Sequence, residues 1–433
     1  MPEPEALAPA LDRRVREAQA ERLPSVAAAV VRKGELVWWG AVGRADLESA
    51  VDSTPDFQYR IGSITKTFTA VAVMQQRDEG RLDLDDRLDQ HLPGIANGSP
   101  TIRRLLAHLS GLQREAGEMF VDGSAPTIEE LLEAMESYEA VLPPARAHHY
   151  SNLAYGLLGE VVARLSGTPY TTYVDERLLA PLGLARTTWQ ERAPAAQGYL
   201  VDEHTGVAAR EPHSDMLGVA SMGQLWSTVG DLCRWATFLA EGQEGVLSRT
   251  TLEEMWFPQV MVNPDDWTVG WGLGLQLVSR NGRIFGGHGG AMPGFLAGLA
   301  INRGSGIGAV ALTNSGTRGA MTPLAIDLAE KTLELWPPEP KLWQPEAPPP
   351  AEIVPLLGRW WSEGEEFLFR WQDGKLQAEG IGAPPWVKPS VFEQTGDGTF
   401  RVVSGRELGE RLRVEDGRLV WGGYAFTREQ RGT

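Results

Sequence analysis

Between Pro337 and Pro350 the chain reads PPEPKLWQPEAPPP, its densest run of proline. Each proline fixes its own φ and removes a backbone donor, so neither a helix interior nor a central strand passes through such a run. The segment reads as an extended, semi-rigid linker. The 433 residues therefore divide into a large part (1–336), a linker (337–352) and a small part (353–433). Two or three domains suit this length.

In the large part, strand signals lie at both ends and helical signals in the middle. The apolar runs Val26–Val31 and Leu36–Val42 flank Arg32-Lys33-Gly34-Glu35, a hairpin pattern. The spacing of Phe68, Val71, Ala72 and Met74 predicts a buried helix over Thr65–Arg77, stopped at Gly80. Further helices are predicted over Thr101–His108, Thr127–Glu136 (with Thr127 and Glu130 as a capping box), Leu153–Leu165 and Tyr170–Leu179. Asp231–Ala240 is another, capped by Ser227 or Thr228. Strands return at Val269–Val278, Arg283–Gly287, Phe295–Ile301 and Ile307–Thr313, and the helix Leu324–Leu335 closes this part. Residues 190–220 and 241–266 lack periodicity and are expected to be long loops, with a lid over a site among their roles. The fold class expected is α+β: one antiparallel sheet built from both ends of the segment and covered by helices, with an all-helical insertion. Past the linker, Asp373-Gly374, Asp397-Gly398 and Asp416-Gly417 between apolar runs signal hairpins. Residues 353–433 are expected to form a small antiparallel β barrel, with Trp360, Trp361, Trp371, Trp386 and Trp421 in its core and no chemistry of its own.

Composition narrows the function. Apolar residues make up 42% and charged residues 22%, an ordinary balance for a folded chain. A net charge of −17 argues against non-specific nucleic-acid binding. The single Cys233 excludes an intramolecular disulfide and a cysteine-based metal site. The first 25 residues have no secretory-type apolar core and read as an amphipathic helix, and no run of about 18 apolar residues exists. The chain is expected to be cytoplasmic, with neither membrane nor nucleic acid as partner.

The chemistry begins at Ser63-Ile64-Thr65-Lys66. Residues three apart share a helical face, so the lysine amine can rest against the serine hydroxyl. A free hydroxyl is a poor nucleophile, and a neighbouring base activates it. The plain alternative makes Ser63 a helix cap and Lys66 a solvated first-turn residue. Tyr150-Ser151-Asn152 opens the apolar helix YSNLAYGLLGEVV. A phenol beside a lysine cation has a lowered pKa and can carry protons, and the Asn152 amide can hold an acyl-chain carbonyl and bond Lys66. The alternatives are a half-buried aromatic and an N-cap. In Gly286-Gly287-His288-Gly289-Gly290-Ala291-Met292-Pro293-Gly294, the glycines mark a strand that another backbone approaches closely. A substrate added along that edge would need this room, although His288 also reads as a structural histidine. His148 and His149 are adjacent and diverge on a helix, so no metal spacing is present, and no cofactor is expected.

In this order, S-x-x-K, Y-x-N and H-x-G resemble the serine penicillin-recognising superfamily. The nearest branch is that of the class C β-lactamases and D-alanyl-D-alanine carboxypeptidase-type proteins, with family VIII esterases and D-aminopeptidases. The resemblance spans about residues 20–335 and includes RIGSITKTFTA, LLAHLSGL and GGHGGAMPGF. It implies a β-lactamase/transpeptidase-like catalytic domain followed by a lipocalin-like barrel. It also implies roles: Ser63 as acylated nucleophile, Lys66 as base with a depressed pKa, and Tyr150 as second proton carrier. The backbone N–H groups of Ser63 and Ala291 would form an oxyanion hole. Asn152, His288, Gly289 and Gly290 would bind substrate. One departure stands out: the superfamily usually has a lysine in the third motif, where it meets a substrate carboxylate, and no lysine lies between Lys66 and Lys331. His288 would be a weaker, pH-dependent cation, which argues against true β-lactamase activity. The function expected is acyl transfer through a Ser63 acyl-enzyme. The leading form is a penicillin-binding-protein-type thioesterase that releases and macrocyclises a nonribosomal peptide ending in a D-configured residue. Its substrate would be a peptidyl (thio)ester delivered on a peptidyl carrier protein. The alternatives are a D-stereospecific peptidase acting on D-peptides, a family VIII-type esterase, and a non-catalytic peptide or β-lactam sensor.

Overall fold

The computed structural model describes residues 5–117, 125–317, 319–340, 342–396, 398–415 and 418–430, and the chain separates into two compact units, Met1–Pro338 and Glu339–Thr433. The first is built on a nine-stranded antiparallel sheet. The hairpin β1 (Ser25–Arg32) and β2 (Glu35–Asp46) forms as expected, with the short β3 (Val51–Asp52) outside it. On the far side of β1 lies the last strand of the unit, which joins the two chain ends through seven antiparallel pairs from Val26↔Thr313 to Arg32↔Ile307.

Between these ends, four short strands form two small pairings that serve as a brace and a surface hairpin. They are β4 (Tyr59–Arg60), the β5–β6 hairpin (Tyr199–Val201, Ala208–Arg210) and β7 (Trp226–Ser227), which pairs with β4 just ahead of Ser63. The sheet continues through β8 (Val260–Met261), β9 (Val269–Trp271), β10 (Gln276–Arg280), β11 (Arg283–Met292), β12 (Phe295–Asn302) and β13 (Ile307–Thr313), in the order β3-β2-β1-β13-β12-β11-β10-β9-β8. Strand β1 is buried along its whole length because helices cover both faces. Ala27, Ala29 and Val31 join the core that holds Phe68, Val71 and Trp235. Val26, Ala28 and Val30 join the core beneath Leu7–Ala20 and Met321–Leu335.

The expected helices are present, with one change of cap. Thr127 and Glu130 form the capping box, and Thr228 rather than Ser227 caps Val229–Glu241. Ser151, not Asn152, caps Asn152–Ser166 through its Oγ, which accepts from Ala154 N at 3.1 Å. Three expectations need correction. Residues 190–220 are not a bare loop: they hold the β5–β6 hairpin and a 3-10 segment beginning at Leu217. Residues 241–266 hold a helix, Arg249–Met255, and strand β8. The strand expected over Val269–Val278 is broken, because at Gly274 (φ +79°) the chain turns against the helix Thr65–Asp78, where an added Cβ would sit 2.2 Å from Ala70 Cβ. Strand β10 thus begins only at Gln276, opposite Gly287, and β11 continues from His288 to Met292 with β12 alone beside it.

The second unit is an eight-stranded antiparallel barrel of consecutive neighbours, β14 (Gly358–Ser362), β15 (Glu365–Gln372), β16 (Lys375–Gly380), β17 (Ser390–Gln394), β18 (Phe400–Ser404), β19 (Arg411–Glu415), β20 (Arg418–Trp421) and β21 (Tyr424–Phe426). The first and last strands meet where Trp361 and Thr427 exchange two backbone hydrogen bonds of 2.8 and 2.9 Å, a single bridge that nearly closes the barrel. Little of either edge is left free. Asp373-Gly374 makes the expected tight turn between β15 and β16, with positive φ at both residues (55° and 68°). Asp397, Asp416 and Gly417 lie outside the described residues. Trp360 and Trp421 fill the core and Trp371 packs against it. Trp386 does not belong to the core: it is 80% exposed, in the connection between β16 and β17.

Candidate active site

Gly62 sets the geometry of the first motif. Its φ of +50° lets the chain leave β4 and enter a one-turn 3-10 segment, Gly62–Ile64, that runs into the helix Thr65–Asp78. That helix is buried from Thr65 to Gln76, with Phe68 stacked on Trp235 at 3.7 Å. Ser63 is thereby placed at the helix start, partly exposed, and Lys66 one turn deeper, fully buried. Lys66 Nζ lies 3.1 Å from Ser63 Oγ and donates to Met222 O at 2.7 Å. Burial holds the amine well below the usual lysine range; Glu115 pulls the other way and Arg114 adds to the depression. A neutral amine with one hydrogen given to a carbonyl keeps its lone pair for the serine proton.

Tyr150 enters from the turn before the helix Asn152–Ser166. Its ring centroid is 5.1 Å from Lys66 Nζ, and its hydroxyl is hydrogen-bonded with Ser63. Lost hydration raises the phenol above its ordinary value, and the bond with Ser63 and the charge of Arg114 only partly offset this. The expectation of a lowered pKa is therefore reversed, because burial outweighs what the neighbouring groups offer the phenolate. In the resting site Tyr150 therefore keeps its proton and is set to give it first.

The role expected for Asn152 changes too. Its Nδ2 donates to both oxygens of Glu115, at 2.9 and 2.8 Å, leaving a buried, unpartnered Oδ1 on a residue that lines the cleft. Asn152 can thus accept from a substrate N–H, and Met222 O takes the place beside Lys66 that was expected for Asn152.

Strand β11 brings the third motif to the serine. A Cβ on Gly62 would lie 2.7 Å from Ala291 N, and one on Gly290 would lie 2.0 Å from Ile61 O. The two backbones touch, which sets Ala291 beside Ser63. His288 is 4% exposed, and its Nδ1 is hydrogen-bonded with Gly289 O. Burial and then Lys66 push its pKa down to about 3, against a weaker upward pull from the Gly289 bond. His288 is uncharged at neutral pH, so the expected pH-dependent cation is corrected to a neutral imidazole. It follows that the activity profile should show no inflection near pH 6.5 from this residue. Profiles of wild type and His288→Gln between pH 5.5 and 8 should have the same shape, and a step lost in the variant would contradict the assignment.

Ser63, Tyr150, Asn152, His288, Gly289, Gly290 and Ala291 line one cleft of about 810 Å³, with Lys66 buried behind Ser63. Sequence reasoning missed Arg114, Glu115, His148, Trp271 and Gln276, which complete its walls. No sequence signal marked them as site residues, and the strand expected over Val269–Val278 ran through Trp271 and Gln276 without a break.

A family model described as "Beta-lactamase" matches residues 11–333. The chain belongs to the beta-lactamase family. This family comprises serine hydrolases, and a second model, "Domain of unknown function (DUF7586)", covers residues 349–428 of this beta-lactamase family member. Penicillin-binding protein 4 of Amycolatopsis lactamdurans is 31% identical over 367 residues, 79% of this chain and 94% of that one. The chain spans about half the length of two other relatives, Beta-lactamase-like protein 2 of Dictyostelium discoideum (48%) and Protein flp of Staphylococcus aureus (46%). Among solved structures, a D-stereospecific amidohydrolase from Streptomyces sp. has a TM-score of 0.64 and 27% identity, covering 74% of this chain and 98% of that one. SurE, solved alone and with D-Leu, has TM-scores of 0.62 and 0.60 at 25% identity and covers 98% of this chain, against 98% and 100% of its own. Among the described residues no helix is long and apolar enough to cross a membrane.

Proposed function

We propose that this protein transfers a D-configured acyl group through an acyl-enzyme on Ser63. The observation that carries this reading is the fully buried Lys66 amine 3.1 Å from Ser63 Oγ, held well below the usual lysine range by that burial. As Ser63 Oγ attacks the acyl carbonyl, its proton passes to Lys66 Nζ. The backbone N–H groups of Ser63 and Ala291 hold the oxyanion. Tyr150 gives its proton to the departing heteroatom and is reprotonated from the Lys66 ammonium. Deacylation runs the same path in reverse with the incoming nucleophile. Asn152 Oδ1 takes an N–H of the acyl chain.

The D-configuration is supported by the D-stereospecific amidohydrolase and by SurE with D-Leu among the similar structures. The neutral His288 disfavours donors that carry a carboxylate beside the scissile bond, as penicillins do. A more specific reading within this one is release and macrocyclisation of a peptidyl thioester held on a carrier protein, in which the departing heteroatom is the thiol. A sensor that only binds needs no buried base at its serine.

Intact mass after treatment with a fluorophosphonate should show one adduct, absent in Ser63→Ala. N-acetyl-D-leucine p-nitrophenyl ester should be turned over at least about tenfold faster than its L-enantiomer, roughly 1.4 kcal/mol of discrimination. No adduct, or equal rates for the enantiomers, would refute the proposal. A peptidyl thioester with a C-terminal D-residue would give a cyclic product under the macrocyclase reading and linear acid alone under the hydrolase reading.

A further inference from the structure

On the cleft wall that faces Tyr150, neutral polar atoms converge without partners. His288 Nε2 and Trp271 Nε1 are unpartnered in residues each 4% exposed, and His148 Nε2 is unpartnered beside them. The ring centroids of Trp271 and His288 are 5.3 Å apart, and those of Trp271 and His148 are 5.2 Å apart. Gln276 lines the same wall. Buried polar atoms without partners are rare in folded proteins, and several together in a cleft mark a place that a ligand completes.

Their donor and acceptor pattern can be read. A carbonyl oxygen only accepts, so His288 Nδ1, against Gly289 O, carries the imidazole hydrogen, and Nε2 is an acceptor. Trp271 Nε1 is a donor and nothing else. One acceptor and one donor on adjacent rings match the N–H and C=O of a carboxamide. A carboxylate offers His288 no hydrogen. Among the described cleft-lining residues the cation is Arg114, and it pairs with Glu115 at 3.1 Å. The Tyr150 ring stands 5.8 Å from Trp271 and 6.1 Å from His288. Whatever departs with the Tyr150 proton therefore carries its substituents to this wall.

We propose that Trp271, His288, His148 and Gln276 form a subsite for a neutral carboxamide in the leaving group of the acyl donor. The inference rests on the reading of Ser63 as acyl acceptor. Two sources offer this group: the next amide of a peptide or depsipeptide chain, and the amide of a pantetheine-like thiol.

Four N-acetyl-D-leucyl donors test it with the wild-type, full-length protein: oxygen esters of glycolamide and of glycolate, and thioesters of N-acetylcysteamine and of butanethiol. The glycolamide ester should exceed the glycolate ester in kcat/KM by about tenfold or more, and the N-acetylcysteamine thioester should exceed the butyl thioester by a similar factor, the loss expected when a site's buried polar groups go unpaired. A preference in the thioester pair alone supports the subsite and assigns it to a thiol arm. Preference in both pairs supports it for either source. A preference confined to the ester pair that persists in about 1 M salt supports the subsite and assigns it to a peptide or depsipeptide chain, whereas one that such salt abolishes reports general repulsion of an anion by an acidic protein and overturns the proposal, as do ratios near one in both. Trp271→Phe and His288→Gln should each shrink the supported ratio. Fluorophosphonate labelling of the same samples separates the two failures: no label sinks the Ser63 reading, whereas label without preference sinks only the subsite.

Discussion

Lys66→Met should slow acylation of Ser63 by about three orders of magnitude, within the range by which positioned general bases accelerate proton transfer, and leave the protein folded. The side chain is fully buried, and that burial holds its amine well below the usual lysine range. Methionine keeps nearly the same length and volume, so packing around the helix Thr65–Asp78 is retained while the lone pair is lost. The main structural loss is the bond to Met222 O. Removing a buried amine also removes its desolvation cost, so the melting temperature should hold or rise.

Lys66→Arg should fail as well, for the opposite reason: a guanidinium stays charged and cannot accept the proton. The pH dependence has a fixed sign. The active form is the neutral amine, so the wild-type acylation rate rises with pH through the lowered pKa of Lys66 and then levels, well before the ordinary lysine range. The measurement is the rate of fluorophosphonate adduct formation against pH. A Met variant labelled at the wild-type rate would remove Lys66 from the base role.

What could be read from the residues was the part governed by local order. Two apolar runs around Arg32-Lys33-Gly34-Glu35 foretold the pairing of β1 with β2, and the periodicity of Phe68, Val71, Ala72 and Met74 foretold the helix behind Ser63. The spacing of Ser63 and Lys66 foretold their contact, because neighbours three apart on a helix must meet. What could not be read was governed by burial and by distant pairing. The pKa shifts of Lys66, Tyr150 and His288 all have burial as their largest cause, and burial comes from the tertiary packing rather than from the motif. Glu115 carries no motif, yet it turns Asn152 round from a donor into an acceptor. The break at Gly274 looked like an uninterrupted strand because its cause, the approach of Ala70, lies about two hundred residues away in sequence. Trp386 was misplaced because apolar character alone does not say which side of a barrel a residue in a connection will take.

Gly290→Ala should cost about two to three orders of magnitude in turnover of an activated ester, the usual effect of losing one oxyanion donor, and should also lower the melting temperature. An added Cβ would fall 2.0 Å from Ile61 O, a backbone atom in the segment that delivers Ser63. Neither partner can yield alone: Ile61 N is bonded to Leu225 O, and β11 is held by β12 through the pair Gly290↔Ala297. Relief therefore requires β11 to withdraw from the serine, and with it the Ala291 N–H proposed to hold the oxyanion. Its neighbour provides the control. A Cβ on Gly289 would meet Thr322 Oγ1 at 2.8 Å, a side chain that can rotate away, so Gly289→Ala should keep activity within about tenfold. The two variants add the same methyl group one residue apart, on opposite faces of the strand. If both lose activity equally, or neither does, the close contact between Ile61 and Gly290 is not what sets the oxyanion geometry. If only Gly290→Ala collapses, the glycine density of this strand is explained by the approach of the nucleophile turn on one face and of Thr322 on the other.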